Sequence, residues 1–308
     1  MEDSYYRVAV DATGVMSVDQ GHCSHCLHKK SKNGVITYFH NVLEAKLMTP
    51  NGFAISIATE WIENPDDYDK QDCELKAFRR LAEKLKKYFP RLSICILADG
   101  LYPNAPFFEI CIANNWSYIV TLKDGSLKSL WEEIEMELLM HNNNHRSCAQ
   151  PQKKKIESYR WLSGLTYQGH NLSWVECIEE HDGKVKRFAY LTNIGANFNN
   201  VITLVTSGRL RFMIENQGFN TQKNGGYNLS HKFSRVSAVA MKNYFSLMQI
   251  AHLLNQLYEL SPGAGAMLNA KETLKNMWKD FIASLTHTVL DIAEVITACT
   301  LRIQIRFD

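Results

Sequence analysis

Leu92-Ser93-Ile94-Cys95-Ile96-Leu97-Ala98-Asp99-Gly100 decides how this chain is read. A nearly unbroken apolar run of strand length, stopped by Asp-Gly, suits a central strand covered on both faces. Such a strand needs helices above and below its sheet, and the flanking sequence provides helix signals on both sides. Over residues 72–89, Leu75, Phe78, Leu81, Ala82, Leu85 and Phe89 recur at helical spacing with Lys and Arg between them, and Pro90 ends the pattern. Downstream come a helix over 105–114, a strand over 118–122 and a helix over 126–140. Upstream, Tyr6 to Asp11 reads as a first strand closed by Ala12-Thr13-Gly14. Two further strands, 35–48 and 53–62, are separated by the turn Thr49-Pro50-Asn51-Gly52.

After a polar break over 141–152, closed by Lys153-Lys154-Lys155, the pattern becomes antiparallel β over 156–165, 172–180 and 186–192. His181-Asp182-Gly183-Lys184 is a hairpin turn. Helix signals resume at Asn199 and run past Glu215, and a long apolar helix spans 234–260 until Ser261-Pro262-Gly263. A helix pair and a strand over 301–307 finish the chain. The expectation is an α/β fold over residues 1–308: a mixed sheet flanked by helices, with a β-rich insertion at 153–193 before the helix carrying Glu215.

Composition narrows the function classes. The chain has 308 residues, 45% hydrophobic and 21% charged, with 34 Lys+Arg against 32 Asp+Glu. That balance excludes a disordered chain and a surface that is basic throughout. No apolar run reaches the length of a membrane helix, and Met1-Glu2-Asp3-Ser4 does not begin a signal peptide, so a cytoplasmic protein is expected. Eight cysteines are too few for a disulfide scaffold.

Two acids stand where strands end, Asp11 and Asp99, and strand ends are where open α/β sheets place reactive groups. Singly, each also reads as a cap or turn residue before Gly14 or Gly100. A third acid, Glu215, follows Arg211 by four residues on a helix, with Gly208 on the same face. Alone, that pair is a surface ion pair worth a few tenths of a kcal/mol.

Together these segments form a larger pattern. Asp11-Ala12-Thr13-Gly14, Leu97-Ala98-Asp99-Gly100 and Arg211-x-x-x-Glu215-Asn216-x-Gly218-Phe219-Asn220-x-x-Lys223 resemble the DDE transposases of bacterial insertion sequences, and most of all the branch named after insertion sequence four. Cys23-x-x-Cys26, Asp72-Cys73-Glu74, Tyr190-Leu191-Thr192-Asn193 and Gly226-Tyr227-Asn228-Leu229-x-His231 add to the resemblance. The acids are separated by 88 and 116 residues, and the insertion accounts for the longer interval.

The resemblance implies an RNase H-like catalytic domain. In it Asp11, Asp99 and Glu215 bind two Mg²⁺ or Mn²⁺ ions for DNA phosphodiester cleavage and strand transfer, with Arg211 and Lys223 beside them. It implies DNA ends and target DNA as partners, action as a homodimer on DNA, and a place near the bacterial nucleoid. The alternatives are a nuclease that cuts without joining, and an inactive or domesticated remnant that binds DNA or assembles. Two departures from the family's Tyr-Arg-Glu-Lys signature stand out: Gly208 replaces the Tyr, and Lys223 falls one residue late, with Gln222 in the expected place. The first strand starts so near Met1 that the family's N-terminal DNA-binding region is expected to be absent, which implies weak, sequence-independent DNA binding.

Cys23-x-x-Cys26 has half the spacing of a zinc site. The expected ligands are Cys23, Cys26 and His28 with Cys73, or His40 in its place; the alternative is a loop of reduced, unliganded thiols. Lys29-Lys30-Ser31-Lys32 reads as a phosphate contact and Lys153-Lys154-Lys155 as solvated charge. Trp131, Trp161, Trp174 and Trp278 read as core or near-core residues.

Overall fold

A computed structural model describes residues 5–141, 143–150, 152, 154–234, 237–262, 264, 274–287, 289 and 291–300. Residues 1–308, read above as one domain, divide into two compact units, Met1–Leu253 and Leu254–Asp308. Lys153, Gly263 and the strand expected over 301–307 lie outside the described residues.

In the first unit a ten-stranded mixed sheet is built from β1 (Tyr6–Val18), β2 (Leu27–Lys30), β3 (Ile36–Met48), β4 (Ala54–Ile62), β5 (Ile94–Ala98), β6 (Ser117–Thr121), β7 (His145–Gln150), β8 (Lys155–Tyr167), β9 (His170–His181) and β10 (Lys184–Thr192). Its order is β2-β3-β1-β5-β6-β10-β9-β8-β7, with β4 also paired to β3. Strands β1, β5 and β6 run parallel and the other pairings are antiparallel. This is the α/β sheet flanked by helices that the sequence leads one to expect.

The apolar run that opens the sequence reading is β5, and every residue of it is buried. Alternation divides it between two cores. Ile94, Ile96 and Ala98 join Val8, Val10, Tyr118 and Val120 under α1 (Glu74–Tyr88), α2 (Ala105–Ala113) and α3 (Lys128–Met140). Cys95 and Leu97 join Ala9, Ile119, Val175 and Cys177 on the opposite face. That face is covered by α4 (Val201–Arg209), a π-helical segment (Ile214–Asn220) and α6 (Ala238–Glu259). Truncating Ile96 to Ala would leave a hole in a close-packed layer, at a cost of about 2–5 kcal/mol.

Several elements differ from the sequence expectation. Strand β1 does not stop at Asp11 but runs to Val18, with a bulge between Gly14 and Met16, because β3 continues to pair with it as far as Val18↔Tyr38. The polar segments at 27–30 and 145–150 form β2 and β7, since each finds a long neighbouring strand to complete. The β-rich segment is not set apart: Tyr190, Leu191 and Thr192 of β10 pair directly with β6, so β10, β9, β8 and β7 extend the central sheet. Asp182 and Gly183 both have positive φ, 48° and 73°, and close the two-residue hairpin between β9 and β10. Helix α4 ends at Arg209, and Glu215 lies on the π-helical segment that follows a turn. Trp131, Trp161 and Trp174 are buried as expected.

In the second unit, Trp278 of α7 (Leu274–His287) donates its indole N–H to Glu259 Oε1 at 2.7 Å and packs against Tyr258 and Phe281. Helix α8 (Ile292–Thr300) follows it.

Candidate active site and candidate metal centre

The parallel register of β1 and β5 brings the two aspartates level. Its last pair is Ala9↔Leu97, and Asp11 and Asp99 each lie two residues further on. By the period of two Asp11 shares the face of Ala9, which α4 and the π-helical segment cover, while Asp99 follows directly on the end of β5 at Ala98. That cover contributes the third acid. Arg211, in the turn after α4 and 8% exposed, donates from Nη2 to Glu215 Oε1 at 2.6 Å and from Nη1 to Asp11 Oδ2 at 3.4 Å. The guanidinium thus ties Glu215 to an aspartate 200 residues before Arg211 in sequence. Asp99 has a separate cation: Lys123 Nζ lies 2.8 Å from its Oδ2. Glycine at position 100 allows this, because a Cβ there would lie 2.7–2.9 Å from the Lys123 stem.

The acids act on one another electrostatically. Burial pushes the Asp11 carboxyl up to about 6; Arg211 opposes the rise, while Glu215 and Asp99 add to it. A fourth acid belongs to the same field. Glu74, in the first turn of α1, accepts a 2.8 Å hydrogen bond from the Tyr102 hydroxyl. Burial raises it to about 7 against that hydrogen bond, with Asp11 and Asp99 contributing to the rise. The oxygens of Asp11, Asp99 and Glu215 are not among the donor groups that lie within 4.8 Å of one another. Among the described residues the trio that does so is Cys23, Cys26 and His40.

The two departures around Glu215 have structural counterparts. A Cβ on Gly208 would lie 2.7–2.8 Å from the ring of Tyr190, a buried residue of β10, so the absent side chain leaves space that another tyrosine fills. Gln222 and Lys223 divide inside from outside. Gln222, in the four-residue helix α5 (Thr221–Asn224), is fully buried; its Nε2 donates to Gln249 Oε1 at 2.7 Å and lies 2.9 Å from His252 Nδ1. Buried Lys46 donates to the same Gln249 oxygen and passes under Gly218, where a Cβ would meet its stem at 3.3 Å. Lys223 instead faces solvent and is absent from the Asp11–Arg211–Glu215 set. It lines a cavity of about 470 Å³ with Lys29, Lys232, Ser17, Asn41 and Ser230.

Cys23 Sγ and Cys26 Sγ are 3.6 Å apart, and His40 Nε2 lies 3.3 and 3.2 Å from them. His28 and Cys73 are not in this group: the His28 ring lies beside Tyr38, and Cys73 is an exposed residue preceding α1. The third donor is therefore His40, because the antiparallel β1–β3 pairing carries β3 back past the loop that holds the cysteines. Of the lysine runs, Lys29 reaches the cavity, and Lys155 is paired with Glu157 and Glu179 at 2.8 and 3.0 Å. Glu74, Tyr102 and Lys123 escape sequence reading as site residues. Glu74 has a faint signal in the Asp72-Cys73-Glu74 segment, whereas Lys123 and Tyr102 resemble any surface lysine and any core ring.

No protein-family model matches this chain, and no curated protein is recognisably similar to it. Among the described residues no helix is long and apolar enough to cross a membrane.

Proposed function

We propose that the chain is a metal-dependent DNA phosphodiester-cleaving and strand-transferring enzyme of the DDE transposase kind, with an RNase H-like catalytic domain. One observation carries the reading. The register of two parallel strands sets Asp11 and Asp99 level, and Arg211 ties Glu215 to Asp11. Three carboxylates from segments scattered over two-thirds of the sequence thus share one electrostatic field.

The donor set fits hard divalent ions. A partly buried Asp11 whose carboxyl is pushed up by burial and by two neighbouring acids needs positive charge beside it, and carboxylates are the donors Mg²⁺ and Mn²⁺ take. Held by Asp11, Asp99 and Glu215, two such ions would activate a water or 3′-hydroxyl and stabilise the leaving oxygen of the scissile phosphodiester. Arg211 holds Asp11 and Glu215 in place and offers a planar fork that matches phosphate as well as carboxylate. Lys123 neutralises Asp99. Lys29, Lys223 and Lys232 line the basic cavity, where they bind the DNA backbone without reading sequence. Pairing of two DNA ends favours action as a homodimer on DNA.

The specific observation favouring a remnant that only binds DNA is that Arg211 and Lys123 already neutralise the acids. The deciding experiment incubates supercoiled plasmid and short duplexes with the full chain and Mg²⁺ or Mn²⁺, reading nicks, breaks and joined products. Metal-dependent cleavage by the wild type that Asp99→Ala abolishes supports the enzyme. Cleavage retained in Asp99→Ala excludes the assigned site. DNA binding without cleavage by the wild type supports the remnant, and cleavage without joined products supports a nuclease.

A further inference from the structure

The Cys23–Cys26–His40 cluster is independent of the carboxylate site and rests on its own geometry. A tetrahedral ion with bonds of about 2.3 Å to sulfur and about 2.0 Å to nitrogen places two sulfurs about 3.8 Å apart and each sulfur about 3.5 Å from the nitrogen. The three edges found here are 3.6, 3.3 and 3.2 Å, a slightly contracted face of that tetrahedron.

The surroundings are built to hold it. The Cys26 amide donates to the Cys23 carbonyl at 3.3 Å, closing the tight turn that turns both thiols to one side. Asn64, 1% exposed, fixes that turn: its Nδ2 donates to the Cys26 carbonyl at 2.9 Å and its amide N–H to the His25 carbonyl at 3.0 Å. Behind His40, Nδ1 faces Glu63 Oε1 at 3.4 Å, and among the described residues neither atom has another hydrogen-bond partner. Glu63 Oε2 is held by Lys242 Nζ at 2.5 Å. A carboxylate behind a histidine fixes the tautomer with hydrogen on Nδ1 and leaves Nε2 as the donor. Two soft thiols and an imidazole select a thiophilic divalent ion over magnesium or calcium.

We propose that Cys23 Sγ, Cys26 Sγ and His40 Nε2 bind one zinc ion, with water in the fourth position and Glu63 as the positioning residue behind His40. Binding displaces one proton from each thiol to solvent, so two thiolates balance the ion's charge and no oxidant is needed. The ion is a clip. It ties the loop after β1 to β3 at His40, whose register partner is Met16 of β1. It thereby fixes the distal part of β1, which also lines the basic cavity with Val15, Met16 and Ser17.

The test uses the full chain under reducing conditions, with zinc content measured after purification and Co²⁺ titrated as a spectroscopic probe. About one equivalent of metal is expected, with thiolate-to-cobalt charge transfer and the intense visible bands of a tetrahedral site. Cys26→Ser and His40→Ala should lose the signal. Glu63→Gln keeps all three donors and should weaken binding by about 10–100-fold. His28→Ala and Cys73→Ala should leave stoichiometry and spectrum unchanged. Absence of the thiolate–cobalt spectrum in wild-type protein with free thiols overturns the proposal, as does loss of binding in His28→Ala or Cys73→Ala with retention in His40→Ala. Because neither readout involves DNA, failure here leaves the carboxylate site untouched.

Discussion

The carboxylate cluster and the thiol–imidazole cluster are both built at β1 and its neighbours, yet their donor atoms are gathered to different degrees. The sulfur and nitrogen donors already lie within 4.8 Å of one another, whereas the acid oxygens do not gather so closely and are held by Arg211 and Lys123. Charge explains the difference. Thiols and an imidazole escape the mutual repulsion of ionised carboxylates, which need a cation between them. Thiols and an imidazole can be gathered by folding alone, whereas gathered carboxylates call for cations beside them, here Arg211 and Lys123.

The largest effect that tests this contrast is catalytic. Asp11→Ala or Asp99→Ala should reduce Mg²⁺-dependent cleavage by about a thousandfold or more, roughly 4 kcal/mol of transition-state stabilisation. The melting temperature should change little, because neither side chain fills a core. Gly208→Leu should destabilise the fold by about 1–3 kcal/mol in urea unfolding, since its side chain has to displace the Tyr190 ring. If Gly208→Leu,Tyr190→Ala does not recover part of that loss, the two residues do not share the space described.

Acidity gives the next effect. Glu74 rises from 4.5 to about 7 in the folded chain, so the folded state holds its proton more tightly than the unfolded state. Its contribution is therefore full below pH 4.5 and lost as pH rises through 7. Glu74→Gln should flatten the fall in melting temperature over that interval, measured in chelator. An unchanged profile would remove Glu74 from the shared field. The smallest effect belongs to Lys123→Ala. Its side chain is 57% exposed, so stability should change by less than about 1 kcal/mol. Apparent Mg²⁺ affinity in the cleavage assay should tighten about twofold, because a competing cation has gone.

Much of the sheet was legible because periodicity reports burial directly. The doubly buried β5 and the helix under Ala77, Phe78, Leu81 and Leu85 follow from apolar spacing alone. What periodicity cannot show is which strand a segment pairs with. That is why β1 outran Asp11, why β2 and β7 arose from polar sequence, and why the β-rich segment became part of the central sheet. At the site, the motif singled out Asp11, Asp99, Glu215 and Arg211, which interact in the folded chain, whereas Lys223 lies exposed next to buried Gln222. A one-residue offset on a tight helix turns a side chain by about 100°, enough to exchange inside for outside. His40 rather than His28 completes the sulfur cluster for a related reason: strand pairing, not proximity in sequence, decides which ring meets the thiols.

Strand β1 also works as a ruler. Asp11 stands at one mark and Met16, at the wall of the lysine-lined cavity, at another. Five residues at about 3.3 Å each span about 16 Å. If the proposed reading holds, a substrate cut at the aspartates would need flanking nucleotides to reach that wall, and oligonucleotides trimmed on that side should bind more weakly while remaining cleavable.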